Sequence, residues 1–135
     1  MILLDTSVLS HVFRRPPERS STSEVVSRYV NLVENQAPLA IPGVVFQEVL
    51  SGVRDDVQFQ RLRHAIEGFP LILAEQADHM EAARLVNVLR RRGMVASTID
   101  ALIAAIAIRR EALLFTTDHD FEPIAALTAL KILPS

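Results

Sequence analysis

The sequence predicts an α/β protein, a parallel sheet covered by helices on both faces in three layers. Short apolar runs of four or five residues alternate with longer segments whose apolar positions recur at helical spacing, the pattern of a parallel sheet with crossover helices. The chain has 135 residues, half of them hydrophobic and 22% charged, which suits one globular domain over residues 1–135 with a sizeable core. One segment, "ASTIDALIAAIAIRR" at residues 96–110, is apolar on every helical face and therefore reads as a helix packed inside the protein.

"MILLD" opens the chain as a buried strand, and "TSVLSHVF" follows as a helix with Asp5 or Thr6 in the capping position. "RRPPERSSTS" is a loop, rich in Pro and Ser, too short and too early to link domains. Next come a helix in "EVVSRYVNLVEN", a proline-bounded strand in "PLAIP", and helices in "GVVFQEVLSGV" and "DVQFQRLRHAIEGF". "PLILA" is the third strand, and "EQADHMEAARLVNVLRRRG" is the longest helix, stopped by Gly93 with arginines in its last turn. The apolar helix, a strand in "ALLFTTD", a short helix over residues 121–126 and a strand in "LKIL" complete the order. There is no internal repeat or low-complexity tract.

Composition excludes several classes. With no cysteine, disulfides and thiolate metal sites are impossible, which agrees with a reducing cytoplasm. "MILLDTS" reaches an acid at position five and leaves no room for a signal peptide, and the apolar run at residues 101–108 is far short of the ~20 residues that cross a membrane. A soluble cytoplasmic protein is expected. The net charge of −2 argues against general coating of DNA. Lys131 is the only lysine; the arginines cluster as Arg14, Arg15 and Arg19, as Arg90, Arg91 and Arg92, and as Arg109 and Arg110. Arginine suits phosphate through its bidentate fork, so Arg14, Arg15 and Arg90, Arg91 and Arg92 are candidate phosphate contacts, solvated helix ends being the alternative.

Parallel sheets bind ligands beyond the carboxyl ends of their strands. Two strands end in acids there, at Asp5 and at Asp118, with Asp120 close behind. Taken singly, Asp5 also reads as a helix cap and Asp118 as a turn former. Glu48 interrupts the apolar arc of its helix between Val44 and Gly52, and either snorkels to solvent or points into a site. Asp100 completes the "STID" capping pattern, yet it shares a face with Ile103, Ala104 and Ala107. Capping explains an acid at that height; a buried helix aiming its N-terminus and one carboxylate into a cleft explains the apolar remainder as well. Four carboxylates with no lysine nearby must protonate, separate or bind cations. Their oxygens suit Mg²⁺ or Mn²⁺, and an acidic pocket with such ions is a phosphodiester-cleaving site.

"LLDTSVL", "PGVVFQEVLSG", "ARLVNVLRRRG" running into "STIDALIAAIA", and "LLFTTDHDF" occur in this order across nearly the whole length. In this the chain resembles the PIN-domain nucleases and, among them, the VapC-type toxin ribonucleases of toxin–antitoxin pairs. The resemblance implies a sheet of strand order 3-2-1-4-5, which sets Asp5 beside Asp118. It makes Asp5, Glu48, Asp100 and Asp118 the catalytic quartet, with Asp5, Asp100 and Asp118 on the metal, and Ser7, Thr116 and Asp120 accessory. It further implies metal-dependent cleavage of RNA, commonly transfer or ribosomal RNA, a homodimer, and a cognate antitoxin that inserts a basic side chain into the acidic site. Exposed apolar positions of residues 24–35 and the helices after them are seats for that partner. Ala96 differs from relatives that carry Gly or Pro shortly before the third acid's helix.

Other folds with a leading aspartate fit less well. A haloacid-dehalogenase-type phosphatase needs a second aspartate where Ser7 stands, and a receiver domain needs a lysine elsewhere than at Lys131. A DNA-directed nuclease of the flap type shares the acidic site but uses a longer chain, and a non-catalytic RNA- or protein-binding scaffold of the same fold would have lost acids that are present here. His119 lies between two acids within reach of a substrate; His11, His64 and His79 read as ordinary surface or core residues without zinc-site spacing.

Overall fold

The computed structural model describes residues 1–14 and 23–134, so Arg15 and Arg19 lie outside the described residues. Five parallel strands form one sheet: β1 (Ile2–Leu4), β2 (Leu39–Pro42), β3 (Leu71–Ile72), β4 (Leu113–Phe115) and β5 (Lys131–Ile132), in the order β3-β2-β1-β4-β5. β1 is central, with Leu3 opposite Ala40 on one side and Leu114 on the other. This central position explains why its three residues are buried on both faces and why the strand is apolar throughout.

The strands are shorter than their apolar runs suggest. "PLILA" pairs only over Leu71–Ile72, and Leu73 is 68% exposed. In "ALLFTTD" pairing ends at Phe115, leaving Thr116 to Asp118 beyond the carboxyl edge. Edge strands of two residues also leave few backbone donors open to another chain.

The helices are α1 (Thr6–Leu9), α2 (Glu24–Glu34), α3 (Gly43–Leu50), α4 (Asp56–Ile66), α5 (Gln76–Arg91), α6 (Thr98–Arg109) and α7 (Phe121–Leu127), flanking the sheet. α1 widens into a π turn over Ser10–Arg14. There His11 Nδ1 lies 2.9 Å from the Ser7 carbonyl oxygen, four residues back, where a regular α-helix uses its own amide. α2 starts at Ser23, whose hydroxyl accepts from the Val25 amide at 3.1 Å. α5 ends at Gly93 with φ of 75°, the left-handed turn that glycine adopts without a Cβ clash. The Gly93 amide reaches the Arg90 carbonyl and the Met94 amide the Leu89 carbonyl, closing a Schellman motif.

α5 and α6 form an antiparallel hairpin fastened at its far end. Asp78, with no exposed surface, accepts from Arg109 Nη1 at 2.7 Å and from Arg110 Nη1 and Nη2 at 3.1 Å each. The Glu75 amide adds a fourth bond at 2.8 Å. Burial alone opposes an ionised Asp78, but the hydrogen bonds from Arg110, the Glu75 amide and Arg109 outweigh it and hold its carboxyl down at about 2. With this end fixed, the N-terminus of α6 is delivered to the carboxyl edge of the sheet. α6 itself is core: Ala101, Ile103, Ala104, Ala105, Ile106 and Ala107 are buried, as its all-round apolarity predicts.

Candidate active site

The acids predicted from the sequence gather at the carboxyl edge of β1 and β4. Asp5 follows β1 and stands in the capping position of α1, but its side chain makes no capping bond. Instead Oδ2 accepts from Ser7 Oγ at 2.8 Å and Thr116 Oγ1 at 2.7 Å. Asp5 is 4% exposed, and burial pushes its carboxyl up in spite of these hydroxyls and the backbone bonds around it. Ser7 and Thr116 thus bridge β1 and β4 through one carboxylate, and Ser7 Oγ also accepts from the Thr117 amide at 3.0 Å.

Asp100, Asp118 and Asp120 form the tightest group, each offering a carboxylate oxygen within 4.8 Å of the others. Asp100 reaches it from the first turn of α6. Ser97 supplies the cap, its hydroxyl accepting from the Asp100 amide at 3.0 Å, so capping and site roles coexist in one motif. Partial burial, chiefly, raises the Asp100 carboxyl to about 6; hydrogen bonding from Ser97 opposes this, and the negative charges of Asp118, Asp5 and Asp120 add to it. Asp118 both turns the chain, its Oδ1 accepting from the Asp120 amide at 2.9 Å, and joins the group. Asp120, assigned an accessory place by resemblance, is as close to the group as the other two.

Glu48 arrives from α3, half-buried, and its Oε1 accepts from Thr6 Oγ1 at 2.5 Å. It therefore neither snorkels free nor enters the tight group, but faces the start of α1 beside Asp5. Thr6 was visible in the sequence only as a possible cap; its tie to Glu48 spans 42 residues and leaves no local signal. His119 is exposed, with Nδ1 2.8 Å from Glu122 Oε1, and that bond holds its pKa above the usual range. A cleft of about 610 Å³ runs from Thr116, Asp118 and His119 toward Arg28 on α2.

The donor set is all carboxylate oxygen, the ligand type that Mg²⁺ and other hard divalent cations take. No arginine or lysine is paired with any of these acids among the described residues, and their mutual repulsion adds to the burial that raises Asp100. The residues present fit a hard divalent cation.

Of the arginines named from the sequence, Arg90, Arg91 and Arg92 are exposed at the end of α5 that leads to Asp100, and Arg14 is exposed at the end of the π turn. Arg109 and Arg110 face the other way, into the Asp78 clamp.

A parallel 3-2-1-4-5 sheet with acids gathered beyond β1 and β4 defines a PIN-type fold, and the PIN domain family matches residues 2–127. The chain belongs to the PIN-domain family and, within it, to the VapC group. It is 36% identical to ribonuclease VapC11 of Mycobacterium tuberculosis over 97% of this chain and 96% of that one. Among solved structures, a toxin–antitoxin complex from Klebsiella pneumoniae is 25% identical with a TM-score of 0.69, covering 98% of this chain and 100% of the other. VapBC2 from Rickettsia felis, bound to a DNA fragment from its promoter, is 19% identical with a TM-score of 0.75 and 98% coverage of both chains, a likeness of fold. No helix among the described residues is long and apolar enough to cross a membrane.

Proposed function

We propose that the protein is a metal-dependent endoribonuclease toxin, held in check in the cytoplasm by a cognate antitoxin. The observation that carries this reading is the convergence of Asp100, Asp118 and Asp120 at the carboxyl edge, in a chain 36% identical to ribonuclease VapC11. Asp5, Asp100 and Asp118 would hold Mg²⁺ or Mn²⁺, with Asp120 alongside. The chemistry such an ion would supply there is positive charge to favour ionisation of an attacking water and to offset charge on a phosphate oxygen.

The chain's own residues do the rest. Ser7 and Thr116 fix Asp5 Oδ2 in one orientation, which removes the rotamer freedom the carboxylate would otherwise lose on each encounter. Thr6 holds Glu48 at the rim, where its second oxygen is available to orient water or accept its proton. The Asp100 carboxyl, raised by burial and by its acidic neighbours, is a group that a nearby cation would favour in its ionised form. The substrate class is RNA, transfer or ribosomal, and Arg14 and Arg90 to Arg92 are its proposed phosphate contacts. The antitoxin reading draws on the Klebsiella pneumoniae complex; a basic antitoxin side chain would satisfy the same unpaired charge, and exposed Val30 and Val33 on α2 offer it apolar surface. A homodimer is the proposed assembly.

The test is incubation of the purified chain, freed of antitoxin, with total cellular RNA in Mg²⁺ or Mn²⁺. Discrete products, absent with EDTA and with Asp100→Asn, are expected. Cleavage that persists with EDTA, or a chain that neither binds the metal nor cuts RNA, overturns the reading.

A further inference from the structure

Among the described residues Arg63 pairs with Glu67, Arg84 with Glu81, and Arg109 and Arg110 with Asp78. Arg14, Arg54 and Arg61 are exposed, in no ion pair among the described residues, and line one groove. Gln58, Arg61, Leu62 and Ala65 fall on one face of α4 at helical spacing and form one wall. The other wall comes from the end of the π turn, Phe13 and Arg14, and from the loop between α3 and α4, which carries Arg54. The single acid of the lining, Asp55, is engaged as the cap of α4, its Oδ1 accepting from the Val57 amide at 3.1 Å.

One wall of the groove continues from segments that begin beside the candidate active site. Thr6 opens α1, whose π turn ends in Phe13 and Arg14, and it bonds at 2.5 Å to Glu48, in the last turn of α3 ahead of the loop that carries Arg54. Gly52 is four residues beyond Glu48, just past the end of α3 at Leu50, and Phe13 is eight beyond Asp5, on the π turn that continues α1.

We propose that this groove binds single-stranded RNA leading to the acidic centre, with Arg14, Arg54 and Arg61 on successive phosphates and Phe13 against a base. Phosphate-binding arginines beside an exposed aromatic face are the combination that grips single strands without reading their sequence. Phe13 is braced for this: Tyr29 meets it edge to face at 5.8 Å, which fixes its ring while leaving part of it open to the groove. The aromatic ring and the excess of unpaired arginine favour nucleic acid over an acidic helix of a protein partner. The inference rests on the ribonuclease reading.

The test measures binding of a fluorescein-labelled 20-nucleotide oligouridine to the full chain in EDTA, by anisotropy across a series of KCl concentrations. For R54A/R61A, a roughly tenfold or greater rise in Kd is expected, with a salt slope shallower by about 1.4, since each single-strand phosphate contact contributes about 0.7. Phe13→Leu, which keeps apolar volume against Tyr29, should raise Kd about fivefold with the slope unchanged. R63A/R84A, which removes exposed arginines already paired with acids, should bind as wild type. Wild-type affinity and slope in R54A/R61A overturn the proposal while leaving the ribonuclease reading intact. Loss of an acidic amphipathic peptide from R54A/R61A with RNA binding unaltered makes the groove a protein site and overturns it too. A wild-type chain that does not bind the oligouridine at all overturns the groove proposal, while the ribonuclease reading is decided by its own cleavage test.

Discussion

Asp100→Asn should stabilise the metal-free protein while abolishing its activity. The raised carboxyl stands about two units above its ordinary 3.8, and each unit corresponds to about 1.36 kcal/mol, so ionising Asp100 in the folded state costs at most about 3 kcal/mol. Asp100 is only partly buried, and solvent screening reduces this to about 1–2 kcal/mol. Because the folded pKa lies above the unfolded one, the native state is favoured below pH 4 and loses that advantage as pH rises to about 6; the full cost is present above 6. Asparagine keeps the shape and carries no charge. In EDTA at pH 7.5 its melting temperature should exceed wild type by about 4–8 °C, and the gap should close as pH falls from 6 to 4. Added Mg²⁺ should raise the wild-type melting temperature by mass action and that of the variant much less. A variant that melts at or below wild type at pH 7.5, or a gap independent of pH, would refute the electrostatic account of the acidic cluster.

Asp78→Asn removes the negative charge and one of the two acceptor oxygens that Arg109 and Arg110 share, and should lower stability by about 2–4 kcal/mol in urea unfolding at pH 7. The folded pKa of Asp78 is depressed, so its contribution is present above pH 4 and disappears as pH falls to about 2; the difference from wild type should narrow over that window. Glu48→Gln should lower the rate of RNA cleavage at least tenfold, and unchanged metal binding and activity would remove Glu48 from the site. Thr116→Val deletes a hydroxyl from Asp5 and from the Asp118 amide, and should weaken Mg²⁺ binding, measured by calorimetry, about tenfold with the fold retained by circular dichroism.

How far the sequence exposed this arrangement depended on whether a residue's role left a local trace. Asp5 and Asp118 could be read because a strand that turns polar at its carboxyl edge is a local pattern. Asp100 could be read because a charge stands out on a helix with no other polar face. Glu48 showed itself as a break in an apolar arc, although its partner Thr6 did not. The clamp of Asp78 on Arg109 and Arg110 joins residues 31 and 32 positions apart, and no periodicity reports it. Arg54 and Arg61 sit in separate segments and became neighbours only when the loop after α3 folded against α4. Strand lengths were overestimated for the same reason: Leu73 and Ala74 extend an apolar run, but pairing depends on what lies alongside.

The clamp at Asp78 makes the α5–α6 hairpin a lever with its pivot at Arg109, about 14 Å along α6 from Asp100. A helix is stiff along its length, so a change in how Arg109 or Arg110 seats on Asp78 bears on the position of its other end. Sequence drift at the distal end of such a hairpin can therefore retune where Asp100 meets its neighbours without altering a single residue at the catalytic edge. Related chains with identical acids would then differ in metal preference or rate for reasons lodged on the opposite side of the molecule.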